Sequence, residues 1–296
     1  MDAIYQPIII MRKIKEFLIE KLIFLCGLAS IFFVLLIFIF LLKEGLALFK
    51  IVSPVDFLFG KSWYPISEPA QLGILPLILG SLLVTFGATL ISVPIGVGCA
   101  VYIAEVAPGR IKELLKVGIE LLAAIPSVVI GFIGMVTLVP LVKNIFHLPT
   151  GLTALSGSIM LAFMAMPTIV SIAEDALYAV PKSYREGAFA LGATHWQTIW
   201  RVILPGASSG ILAAVMLGIG RVIGETMAVM MITGNAAVIP QSILQPVRTL
   251  TATIAAEMGE AVVGSEHYFA LFAIGVVLFI ISFIINVGAD LFLHRN

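Results

Sequence analysis

Leu22 to Leu42 is an uninterrupted run of 21 apolar or small residues. As a helix it is long enough to cross the roughly 30 Å hydrocarbon core of a bilayer. Comparable stretches follow at 72–106, 117–142, 151–179, 206–233 and 268–293. Hydrocarbon offers no water to an unpaired backbone N–H or C=O, so each run is expected to close its hydrogen bonds within itself, as a helix. The expected fold class is therefore an all-α integral membrane protein with six transmembrane helices. Composition agrees: 60% of the chain is hydrophobic and 11% charged, against about a quarter charged in soluble domains. The formal net charge is zero, which gives no reason to expect a nucleic-acid partner. Cys26 and Cys99 lie inside apolar runs, with neither a metal-ligand spacing nor a disulfide framework.

The first run has a basic flank in Arg12, Lys13, Lys15 and Lys21. It is too long for a secretion signal, and it ends at Lys43-Glu44 with no small-residue cleavage site. The loop from Lys43 to Gln71 contains Gly60-Lys61-Ser62, the tail of a phosphate-cradling loop, but Val55 stands where that motif needs its first glycine. No ATP hydrolysis is expected from this chain.

Two features inside the apolar runs carry chemistry. Ser81, Thr85, Thr89 and Ser92 recur at spacings of four, four and three, so a helix places them on one face. Such a stripe lines a watery path or bonds across a close helix contact. Ser127, in the phrase Ile125-Pro126-Ser127, and Thr168, beside Pro167, are further candidate pathway hydroxyls. The second feature is GIGRVIGETMAVM in the fifth run, with Arg221 and Glu225 four residues apart. On an unbroken helix they share a face and pair. About 24 Å of rise separates Arg221 from Pro205, near or beyond mid-depth, where a charge costs roughly 2.5–3.5 kcal/mol or more. Either the two simply neutralise each other, or Glu225 holds a guanidinium that offers its planar donor fork to an oxyanion. Gly218, Gly220 and Gly224 thin the helix there, for a ligand or for a neighbouring helix. Gly206-Ala207-Ser208-Ser209-Gly210 matches the nucleophile pattern of hydrolases but opens an apolar helix instead of following a strand.

The longest mixed polar stretch is Pro181 to Pro205. It predicts two short helices, 184–190 and 195–202, hinged at Gly192-Ala193, and so a docking surface. This stretch resembles the cytoplasmic coupling loop of bacterial ABC importer permeases, E-A-A-x3-G-x9-I-x-L-P. Glu186, Ala188, Gly192, Leu204 and Pro205 stand at the right spacing, with Gly187 in place of the first Ala and Val202 in place of the Ile. The resemblance implies a socket for a separate ATPase, built from Arg185, Glu186, Gly187, Ala188, Gly192, Ala193, Leu204 and Pro205. Charge bias gives the same orientation. Eleven basic residues (Arg12, Lys13, Lys15, Lys21, Arg110, Lys112, Lys116, Lys182, Arg185, Arg201, Arg295) lie on the N-terminal side and five (Lys43, Lys50, Lys61, Lys143, Arg248) on the other. The positive-inside bias then puts both termini and residues 181–205 in the cytoplasm.

With Arg221 and Ile125-Pro126-Ser127, the phrase Gly224-Glu225-Thr226-Met227-Ala228-Val229 is similar to phosphate-importer permeases of the PstC type. That resemblance implies import of inorganic phosphate across a bacterial inner membrane. It also implies a second, PstA-type permease, two PstB-type ATPases and an extracytoplasmic PstS-type binding protein. The organisation expected is a head, first helix and outer loop over 1–71 and a permease domain over 72–293. In that domain the loop at 234–267 faces outward against the binding protein, with a helical run over 249–263 and solvated carboxylates at Glu257 and Glu260. A permease for molybdate, sulfate or phosphonate fits the same residues. An ion-driven carrier using Glu225 or Glu120 as a proton site fits less well, because no internal repeat is visible.

Overall fold

The computed structural model describes residues 2–293, with Arg295 outside them. Helix α1 runs Asp2–Ala47, and a short helix α2, Pro54–Phe59, follows it. Two-residue strands β1 (Trp63–Tyr64) and β2 (Gln71–Leu72) then pair antiparallel and, with a single parallel bridge between Gly234 and Val247, depart from the all-helical expectation. The long helices are α3 (Leu75–Val101), α4 (Gly109–Ala124), α5 (Ser127–Ile145) and α6 (Ala154–Ala179). Next come α7 (Lys182–Ala190), α8 (His195–Thr198), α9 (Leu204–Gly206), α10 (Ser208–Gly224), α11 (Met227–Ile232), α12 (Leu250–Glu257) and α13 (Glu266–Leu293).

Five of these helices are long and apolar enough to cross a membrane, and a bent sixth, His195–Gly206 with Ser208–Gly224, turns by 69°. The expected runs at 117–142 and 206–233 are therefore not single rods. Extended backbone at Ile125 divides the first into α4 and α5, ahead of Pro126, and Glu225 is extended between α10 and α11.

Lipid tails do not drive helices together, so close approach depends on small residues. Gly87 of α3 lies so near Ser158 of α6 that a Cβ there would clash with the serine hydroxyl. The Ile169 side chain fills the notch at Gly96 of α3, 2.9 Å from where a Cβ would stand, and also the notch at Gly218 of α10, at 2.5 Å. These contacts join α3, α6 and α10 into one body.

The loop expected at 43–71 is a folded cap. Leu48, Phe57 and Trp63 are buried with Leu72, Leu250, Leu271 and Ile274 in a second core at the N-terminal end of α3. Gly60 touches Gly73 there, with space for no side chain, which accounts for the glycine in Gly60-Lys61-Ser62. Glu257, expected to be solvated, is the hub of this cap, its side chain only 15% exposed. Its carboxylate accepts from Arg248 Nη1 at 2.5 Å, Trp63 Nε1 at 3.1 Å and His267 Nε2 at 2.9 Å. The correction has a simple cause: one donor from a distant segment, Trp63, and two from the same loop, Arg248 and His267, compensate the desolvation of one carboxylate. Glu260 is exposed, as expected.

Trp63→Ala should therefore destabilise the protein by about 3–5 kcal/mol, since it opens a cavity and strips a donor from Glu257. Thermal unfolding in detergent, with Phe59→Ala on the exposed face as the control, measures this.

Candidate translocation site and coupling surface

Residues of a helix project toward its N-terminus, so the Arg221 side chain hangs back along α10 from near its end. Its Nη1 donates to Thr168 Oγ1 at 3.2 Å. Thr168 is the fifteenth of the 26 residues of α6, so the guanidinium lies at the middle of a helix of about 39 Å. The 69° bend at Ala207 means that depth is counted from Ser208 rather than Pro205, giving about 20 Å of rise to Arg221. The side chain is exposed in this single chain and faces away from its core.

The expected pairing with Glu225 does not form. Spacing by four brings two side chains together only on a continuous helix, and α10 stops at Gly224. Glu225 is extended (φ −69°, ψ 133°), and its carboxylate turns forward to accept from Ala228 N at 3.4 Å, capping α11. The peptide groups freed by the break are met by hydroxyls. Thr226 Oγ1 donates to Gly224 O at 3.1 Å, and Thr251 Oγ1, from the buried start of α12, donates to Glu225 O at 2.8 Å. Sequence reasoning missed Thr251; its only local signal was the Thr249–Thr253 hydroxyl cluster in a loop read as outward-facing.

The glycines near Arg221 divide between two roles. Gly218 receives Ile169, whereas a Cβ at Gly220 or Gly224 would meet nothing within 4 Å. The hydroxyl stripe also divides. Ser81 Oγ accepts from Leu250 N at 2.9 Å and so anchors α12, while Ser92 is buried. Thr89 donates to the Thr85 carbonyl one turn back at 2.8 Å, and both are half-buried. Ser127 opens α5 and is half-buried beyond the Pro126 joint.

Residues 181–205 form a helical hairpin at the opposite end of α3 from the cap. Helix α7 closes with paired bonds, Gly192 N to Phe189 O at 2.9 Å and Ala193 N to Ala188 O at 3.0 Å. This ending needs a residue in the left-handed region, and Gly192 has φ +82°. Thr194 and Gln197 then make a capping box for α8. The second limb covers the expected 195–202 and runs on to Gly206, passing at Ile199 into a π-helical turn, Ile199–Ile203. Gly187 has open space around it, so the departure from Ala has no steric consequence.

The two neighbouring charges of the hairpin point in opposite directions. Glu186 is exposed. The Arg185 guanidinium turns inward, donating to Glu105 Oε1 at 2.7 Å, Leu177 O at 2.9 Å and Val180 O at 3.0 Å. Ala188 is buried beneath it, while Leu191 at the tip is 91% exposed, with Tyr184, Phe189 and Trp196 also open. Leu204 and Pro205 line an apolar groove of about 820 Å³ at the bend, with Val93, Val97 and Trp200.

Binding-protein-dependent transport system inner membrane components match residues 92–296. A probable ABC transporter permease protein of Bacillus subtilis, YqgH, is 42% identical over 92% of this chain and 89% of its own. The phosphate transport system permease protein PstC of Mesorhizobium japonicum is 37% identical over 81% of this chain and 78% of its own. Among solved structures, a bacterial alginate ABC transporter in complex with an alginate pentasaccharide-bound periplasmic protein gives a TM-score of 0.65 at 15% identity, covering 90% of this chain and 91% of that one.

Gly218→Leu should force Ile169 out of its notch and cost about 1–3 kcal/mol, whereas Gly220→Ala should leave the melting temperature in detergent unchanged. Equal melting temperatures for the two variants would contradict this packing.

Proposed function

The chain belongs to the binding-protein-dependent transport system inner membrane component family, and we propose that it is the PstC-type permease subunit of an ATP-driven importer of inorganic phosphate. The observation that carries this reading is the Arg221 guanidinium, held at mid-depth by one hydroxyl and otherwise open. A charge cannot face lipid at that depth without a large penalty, so this face of α10 and α6 lines an aqueous path closed by a second, PstA-type permease. The planar fork suits the tetrahedral oxygens of phosphate. A single hydroxyl contact leaves donors free for the ion, and one guanidinium from this subunit binds it without trapping it. The phosphate permease among its relatives favours phosphate over other oxyanions.

The hairpin at 181–205 is the docking knob for a PstB-type ATPase, in the cytoplasm with both termini. Its exposed Tyr184, Glu186, Phe189 and Leu191 form an apolar and acidic patch, in which Phe189 stacks on His195 and Leu191 stands open at the tip. The cap built around Trp63 and Glu257 lies at the far end, where a PstS-type protein delivers the ion. Nucleotide binding draws the knobs of the two permeases together, and the helices above them turn the site from one side of the membrane to the other. Hydrolysis itself belongs to the partner subunit.

Proteoliposomes carrying the four-component importer test both halves. Arg221→Gln should leave the complex assembled but lower uptake of radiolabelled phosphate about 10- to 100-fold, the worth of one lost charge-assisted contact. Undiminished uptake removes Arg221 from the site, and inhibition by sulfate or molybdate as strong as by unlabelled phosphate reassigns the ion. Leu191→Asp should release the ATPase on size-exclusion chromatography while the melting temperature of the permease stays put.

A further inference from the structure

The hairpin is continuous in the chain with α6 on one side and with α9 and α10 on the other. Any push upon it reaches those helices through covalent connection. Helix α3 has no such connection, yet it packs along α6 and carries half of the notch around Ile169. What joins α3 to the hairpin is concentrated on Glu105.

Glu105 sits in a π-helical turn, Tyr102–Val106, that ends α3. Its side chain is 7% exposed, and its Oε1 accepts from Arg185 of α7 at 2.7 Å. Beyond it the chain leaves the helix at Ala107, and Pro108 has no N–H to give, so the Glu105 carbonyl is one of the unpaired acceptors of a helix end. His195 of α8 donates to that carbonyl through Nε2 at 3.1 Å. The His195 ring stacks on Phe189 of α7, with 8° between the planes. Both limbs of the hairpin therefore converge on one residue, one through its carboxylate and the other through its backbone. Apolar contacts between Ile103 and Leu177, Val180, Ile199 and Ile203 surround the joint. Such contacts are non-directional and tolerate sliding, whereas the ion pair and the carbonyl bond fix register. The line continues along α3 from Glu105 to Gly96, which seats Ile169, the neighbour of Thr168 that holds Arg221.

We propose that Glu105 is a positioning residue for transport: it makes α3 follow the hairpin, so that movement at the ATPase surface reaches the oxyanion site. This rests on the hairpin being the ATPase socket. In that arrangement Arg185 transmits force from inside the knob, and Glu186 beside it meets the partner.

The test uses the complete reconstituted importer and reads phosphate taken up per ATP hydrolysed. Glu105→Gln keeps the shape of the side chain and removes its charge. The ATPase should still co-purify and hydrolyse ATP, while phosphate per ATP falls about tenfold, within the range expected for a broken coupling contact. The exchange Glu105→Arg with Arg185→Glu should restore most of that ratio, and His195→Ala should lower it by a smaller factor. An unchanged ratio in Glu105→Gln overturns the proposal. Loss of the ATPase from that variant overturns it too, assigning Glu105 to assembly. An ATPase that binds the permease carrying Leu191→Asp and Glu186→Arg as well as it binds the unsubstituted one defeats the socket reading itself, a result independent of the Glu105 ratio.

Discussion

A guanidinium at the middle of a membrane helix is tolerated only where protein or water, and not lipid, receives it. Much of the architecture follows from placing Arg221 there. Helix α10 ends three residues later, and the break at Glu225 and Thr226 releases peptide groups that hydrocarbon cannot satisfy. Each is met from within the chain: by the Thr226 hydroxyl, by the Glu225 carboxylate and by Thr251. Thr251 reaches that depth because Leu250 N is bonded to Ser81 and residues 250–253 are buried. The segment between α11 and α13 is drawn into the bundle because an irregular backbone there needs partners.

Rigidity around the site comes from absence of side chain as much as from its presence. Ile169 occupies two notches that exist only because residues 96 and 218 are glycine. In water a large apolar contact would hold such helices together, but between lipid-soluble surfaces shape is what distinguishes one neighbour from another. Helix α4 has no buried residue; the half-buried Ile119 packs on the core that includes Val170, Ala173 and Leu177 of α6, and polar contacts supplement it, with Lys116 3.5 Å from Glu174 and Lys112 3.8 Å above the Tyr178 ring.

The apolar runs and the 181–205 hairpin were legible in the sequence because their causes are local. Twenty uncharged residues specify a span by themselves, and Gly192 marks a left-handed ending within a handful of residues. The break at Glu225 was illegible because no proline announces it and a window of hydropathy averages over three residues. That omission carried into the Arg221–Glu225 pairing, since spacing by four has meaning only on a continuous helix. Nothing near Trp63 or Glu257 reveals that they meet across 194 positions. A carboxylate in an alanine-rich loop reads as solvated until Trp63, from far away in the sequence, joins Arg248 and His267 of its own loop upon it.

Arg185 and Arg221 show how structure separates two residues that sequence treats alike. Both lie in helices, and both are near a glutamate in sequence. Arg185 has three acceptors from its own chain, and Ala188, one turn on, is buried on the same face. Its guanidinium is turned inward and only 19% exposed, so its contribution is to hold. Arg221 has one acceptor, a hydroxyl rather than a charge, and glycines with open space on either side of it. A guanidinium at that depth with its donors unmatched is stable only if water or an anion completes it. Each arginine's remaining hydrogen-bond demand, rather than its charge or position in sequence, is what distinguishes the two.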